Sequence, residues 1–165
     1  MLAAMFLAVG QILPFITGQI PQIGRMLSPM HFPILLCGFF CGWRYGAVIG
    51  FICPLLRSVL FGMPVMFPSA VGMAFELMTY GFLTGLLSEK IGTDRYLKIC
   101  LILVISMLGG RLVWGIVQTV MLGAAGSAFT FNAFLAGAFI NAVPGIILQL
   151  IAIPLIVDHF VNRKN

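Results

Sequence analysis

FICPLLRSVLFGMPVMFPSAVGMAFELMTYG, residues 51–81, sets two apolar runs on either side of a turn, GMPVMFP, and places one ionised side chain inside each run, Arg57 in the first and Glu76 in the second. Extended to their polar limits, the runs cover residues 45–61 and 67–87. Each is close to the roughly 20 apolar residues that a helix needs to cross a hydrocarbon core about 30 Å thick. Neither alternates polar and apolar residues as a barrel strand does, so both are read as helices, which satisfy their own backbone in lipid. The stretch is therefore a helical hairpin in a membrane, and its two charges need an explanation.

The rest of the chain follows the same pattern. Of 165 residues, 61% are hydrophobic and 8% are charged, and the mean hydropathy is +1.14; a water-soluble domain could not expose such a surface. Apolar runs at 1–13, 97–122 and 132–161, with the short run MHFPILLCGFFCG at 30–42, bring the expected number of spans to six. The fold class is thus an all-α integral membrane protein with six transmembrane helices, forming one domain over 1–165. The short run must tilt, extend into the interface or be flanked by protein. The first run lacks a basic flank and a small-residue cleavage site, so it is read as a membrane helix and not as a removable leader.

With six spans, Arg44, Lys90, Arg95, Lys98, Arg163 and Lys164 fall on one side and Arg25 alone on the other. The positive-inside rule then places both termini in the cytoplasm and turns the polar segment 14–29 outward. The net charge of +5 is explained by these orienting residues, with no nucleic-acid partner.

Depth along each helix, at about 1.5 Å per residue, brings several polar side chains into the outer half of the membrane. Arg57, Glu76, Arg111, Asn141 and Gln118 come from four different spans, with Gln149 deeper. Ionisable groups at such depth face a bundle interior or a wet cavity and mark a pathway or a binding site. Arg57 or Arg111 pairing with Glu76 would lock the bundle, yet two arginines and one glutamate leave a positive charge over. An uncompensated buried charge is costly, and a bound carboxylate would match it, a ligand that Arg grips bidentately. Tyr80 and Trp114 offer an apolar wall with a hydrogen-bonding edge, or are simply core or lipid-facing aromatics. His31, where the outward segment re-enters the membrane, either touches a ligand or caps the short helix.

Other chemistry finds no support in the sequence. It holds no G-x-x-x-x-G-K-[ST], G-x-S-x-G or H-E-x-x-H motif and no carboxylate pair within a span, so neither a nucleotide-binding subunit nor an enzyme is expected. Cys37, Cys41, Cys53 and Cys100 lie in apolar runs without companion ligands and are read as packing residues, with no metal and no cofactor. Small residues recur at four-residue spacing at Ala4 and Ala8, Gly38 and Gly42, Gly46 and Gly50, and Gly81 and Gly85, which gives smooth helix faces suited to close packing.

Residues 28–87 carry a set of elements in order: M-H-x-P, Y-G, P-L-x-x-S, G-M-P and M-A-x-E-L-x-x-Y-G. In these the chain resembles the substrate-binding S components of energy-coupling factor (ECF) vitamin transporters, most closely the pantothenate-type branch. The resemblance implies a multi-pass protein of the bacterial cytoplasmic membrane that captures a vitamin from outside, with segment 14–29 closing over the site. It implies as partners a membrane coupling protein and two cytoplasmic ATPases, and a docking role for Ala4 and Ala8, which match an A-x-x-x-A pattern. Glu76 is the ligand contact that the shared motifs carry over; Arg57, Arg111 and Asn141 rest on depth alone.

Two functions follow as expectations. The first is capture of pantothenate, its carboxylate on Arg57 or Arg111 and its hydroxyls and amide on Glu76, Asn141 and Gln118; hydroxymethylpyrimidine, cobalamin and riboflavin are the alternatives within the family. The second is a membrane scaffold similar to rod-shape proteins, with Arg57 and Glu76 as a structural pair.

Overall fold

A computed structural model of the chain describes residues 1–16, 29–124, 126 and 143–162. Among these residues it consists of six α-helices and one π-helical turn, without strands. The helices are α1 (Leu2–Ile16), α2 (His31–Cys41), α3 (Trp43–Phe61), α4 (Val71–Ile91), α5 (Tyr96–Ala124) and α6 (Val143–Asn162), and the π-helical turn Met66–Ala70 leads into α4.

The six expected spans divide into two kinds. Helices α3, α5, α6 and the continuous Met66–Ile91 segment are each long and apolar enough to cross a membrane, whereas α1 and α2 are shorter. With 11 residues, α2 rises only about 16 Å, roughly half a hydrocarbon core. Surrounding protein accounts for this: α2 packs against α1, α3, α4 and α6, and His31 and residues 33–38 are buried. Phe40 ties it to both ends of the chain, stacking on Phe6 of α1 at 6.3 Å and meeting Phe160 of α6 edge-on at 5.8 Å.

Element boundaries shift where proline and glycine act differently from their usual punctuation. Helix α1 continues through Pro14 to Ile16, past the expected start of the polar segment at 14; a proline removes one backbone donor but does not here end the helix. At the other side of α2, Gly42 alone separates it from α3. Its φ of 83° lies in the region that glycine adopts without steric cost, and its N–H caps the Gly38 carbonyl at 3.1 Å. For the expected sixth span, only Val143–Asn162 falls within the described residues.

Most of the bundle's closeness comes from one seam. A Cβ added at Gly46 of α3 would lie 2.6 Å from the Gly81 carbonyl oxygen of α4, and one added at Gly50, Gly81 or Gly85 would strike backbone of the facing helix. Glycine at these positions lets α3 and α4 pack backbone against backbone, maximising dispersion contact where lipid supplies no hydrophobic drive. The expected smooth faces at 46/50 and 81/85 are thus internal, and Gly38 of α2 joins them, seated against Thr84 and the Gly81 carbonyl. By contrast, Ala4 and Ala8 face outward on α1.

Helix α5 shows why the bundle is amphipathic in the membrane sense. Leu97, Leu101, Leu108, Leu112, Ile116 and Val120 form an exposed apolar stripe, while Ile99, Leu103, Ser106, Gly110, Arg111 and Gln118 are buried on the other side. Polar groups collect inward, and the site is built from that inward face.

Candidate functional site

Four-residue spacing on α4 places Gly72, Glu76, Tyr80 and Thr84 on one buried face. The centre of this face is Glu76, 2% exposed. Its Oε1 accepts a hydrogen bond from the Tyr80 hydroxyl at 2.9 Å and an ion-pair contact from Arg111 Nη1 of α5 at 3.0 Å. His31 Nε2, from the first residue of α2, lies 3.4 Å from the same oxygen. Side chains from three helices therefore meet on one carboxylate oxygen.

Local packing holds this arrangement. Gly110 of α5 lies against the edge of the Tyr80 ring, where a Cβ would collide, and the His31 ring is inclined at 57° to Tyr80 with centroids 5.3 Å apart. One turn along α4, Gly72 gives space to two α5 side chains: a Cβ there would lie 2.6 Å from Gln118 Nε2 and 3.4 Å from Trp114 Nε1. Gln118 and Trp114 thus form a second polar layer beside the carboxylate.

The cluster has donors to spare. His31 and Arg111 are 4% and 8% exposed, yet both ring nitrogens of His31 and Nε of Arg111 have no hydrogen-bond partner. The 3.4 Å approach of Nε2 to Glu76 is close enough for electrostatic attraction but is not aligned as a hydrogen bond. Buried polar atoms are ordinarily satisfied, and each exception needs a physical reason.

Arg57 sits elsewhere. No ion pair joins it to Glu76; its Nη1 donates to the Gln11 carbonyl of α1 at 2.6 Å, and its guanidinium lies over the rings of Phe15 and Phe61, 4.9 and 5.2 Å from their centroids. These two rings meet edge-on at 4.9 Å. A carbonyl oxygen accepting from a guanidinium makes a charge-assisted hydrogen bond, and aromatic faces attract a cation. The positive charge left over in the sequence count is accommodated within the protein.

Gln11 completes this latch and was not among the residues singled out from sequence. Its Nε2 donates to the Cys53 carbonyl at 2.9 Å and approaches Cys53 Sγ at 3.3 Å. A lone amide in an otherwise apolar first helix was the available signal. Gln149 is buried on α6. Asn141 and most of the outward segment lie outside the described residues.

The described helices thus enclose a buried polar cluster between α2, α4 and α5. The chain belongs to the family of ECF transporter substrate-specific components, whose model matches residues 1–157. No curated protein and no solved structure matches it. It is therefore the substrate-specific subunit of an ECF importer, a transport component whose partners are the other parts of that transporter.

Proposed function

We propose that the chain captures a water-soluble vitamin, pantothenate foremost, from outside the bacterial cytoplasmic membrane for ATP-driven uptake. The observation that carries this reading is the convergence of Tyr80, Arg111 and His31 on Glu76 between α2, α4 and α5. In this reading Glu76, Arg111, His31 and Tyr80 contact the substrate, Gln118 and Trp114 flank it, and Asn141 joins them. Arg57 supports the site from the α1–α3 latch. Both termini are cytoplasmic, as the distribution of basic residues favours. The exposed Ala4 and Ala8 face docks on the membrane coupling protein, and the ATPases are two further subunits.

Thermal unfolding of the purified protein against pantothenate, hydroxymethylpyrimidine, riboflavin and cobalamin tests the reading. A bound substrate raises stability by RT ln(1 + [L]/Kd). A rise with pantothenate supports it; a rise with another of these keeps the family role and replaces the vitamin. No rise with any of them, together with failure to co-purify with a coupling protein and ATPases, overturns it.

A further inference from the structure

Resting on the capture of a small solute at the Glu76 cluster, we infer that His31 is the specificity-determining residue and that it selects an oxygen-rich neutral or anionic substrate, one bearing hydroxyl or carboxylate groups, over a cationic one. Arg111 is engaged by Glu76 through Nη1 at 3.0 Å, and Arg57 by α1 and two rings. Among the described residues the buried side-chain atoms without a hydrogen-bond partner are Gln11 Oε1, Ser106 Oγ, both ring nitrogens of His31 and Arg111 Nε; the His31 and Arg111 atoms belong to this cluster, and of them Nε2 lies 3.4 Å from Glu76 Oε1.

These atoms define the chemistry of what meets them. Arg111 Nε–H is a donor only, and with Nε2 turned to Glu76 the imidazole has Nδ1 left for a ligand. Together they suit an oxygen acceptor close to a hydroxyl or amide group, as a carboxylate beside a hydroxyl or a hydroxy-amide provides. A cationic amine would have one carboxylate to pair with, and that carboxylate's Oε1 already receives Arg111 and Tyr80. It would also lie beside the Arg111 guanidinium, whose like charge opposes it.

His31 stands at the N-terminal start of α2, the helix enclosed by α1, α3, α4 and α6. Its backbone is thus held by packing that does not depend on its ring nitrogens. A structural histidine would hydrogen-bond through both nitrogens within the protein; here Nε2 only approaches Glu76 Oε1, at 3.4 Å, and Nδ1 has no hydrogen-bond partner.

The test is affinity and unliganded stability measured on the same variants, with pantothenate, its alcohol analogue pantothenol, and the cation thiamine as probes. Expected for the unsubstituted protein is binding of pantothenate, weaker binding of pantothenol and none of thiamine. His31→Phe keeps the ring volume and removes both nitrogens; it should weaken pantothenate binding by tenfold or more and leave the melting temperature of the unliganded protein unchanged. His31→Gln should restore affinity to within a few-fold.

A His31→Phe protein that keeps full affinity overturns the inference, as does one that melts lower without ligand while binding unchanged. Preference for thiamine overturns it too, yet leaves the chain a vitamin-binding subunit. If no vitamin binds and no coupling protein co-purifies, the underlying reading fails along with it.

Discussion

Glu76 and Arg111 are the pair whose separation should be most damaging. Both are buried, so removing one charge leaves the other uncompensated, at a cost of about 3–5 kcal/mol. Glu76→Gln and Arg111→Gln should each lower the melting temperature strongly, and the double variant should lose less than the two singles combined, with a coupling of roughly 1–3 kcal/mol in a double-mutant cycle. Arg57 should behave differently. Arg57→Ala removes a charge-assisted hydrogen bond and two ring contacts, about 2–4 kcal/mol in sum, and should destabilise the protein while leaving affinity for its vitamin within a few-fold of the unsubstituted protein, measured by titration calorimetry. Arg111→Ala should weaken affinity by well over tenfold. Position along each helix was legible from sequence for these side chains, because rise per residue is fixed. Azimuth was not: Arg57 shares its buried face of α3 with Cys53, towards α1, and a turn count gives no sign of that.

For the elements, the glycine seam between α3 and α4 gives a sharp expectation. Gly46→Leu or Gly81→Leu must force the backbones apart, and each should abolish the folded, monodisperse protein in detergent as judged by size-exclusion chromatography. The α5 stripe should tolerate Leu101→Ile or Leu112→Val with little change. In the α4–α5 connection the Lys98 ammonium, 2.7 Å from Asp94, holds the Asp94 carboxyl below the usual carboxylate range. A depressed carboxyl contributes stability above its unfolded titration range, lost as pH falls through the folded one. Both partners are well exposed, so Asp94→Asn should leave the melting temperature unchanged between pH 5 and 8. Existence and type of every described helix could be read from hydropathy. The continuation of α1 through Pro14 and the enclosure of α2 could not, since the first depends on a tolerated loss of one donor and the second on neighbours distant in sequence.

Viewed as a whole molecule, the bundle has two faces of α1 to reconcile: one joined to α3 by Gln11, Phe15 and Arg57, the other bearing Ala4 and Ala8 outward. Ala4→Trp with Ala8→Trp should leave vitamin affinity and melting temperature unchanged and prevent co-purification with the coupling protein and ATPases. Loss of affinity in that variant would place the alanine face in the folded core of the subunit.

The seam of α3 and α4 also bears on how such a subunit can change over generations. Where Gly46, Gly50, Gly81 and Gly85 meet the facing helix, the atoms they touch are backbone, so no neighbouring side chain can shrink to make room for a larger one. A drift at Gly46 finds no second change at Gly81 to rescue it. The hairpin is a fixed chassis, and change is left to the faces around it, where side chains and not backbones set the fit.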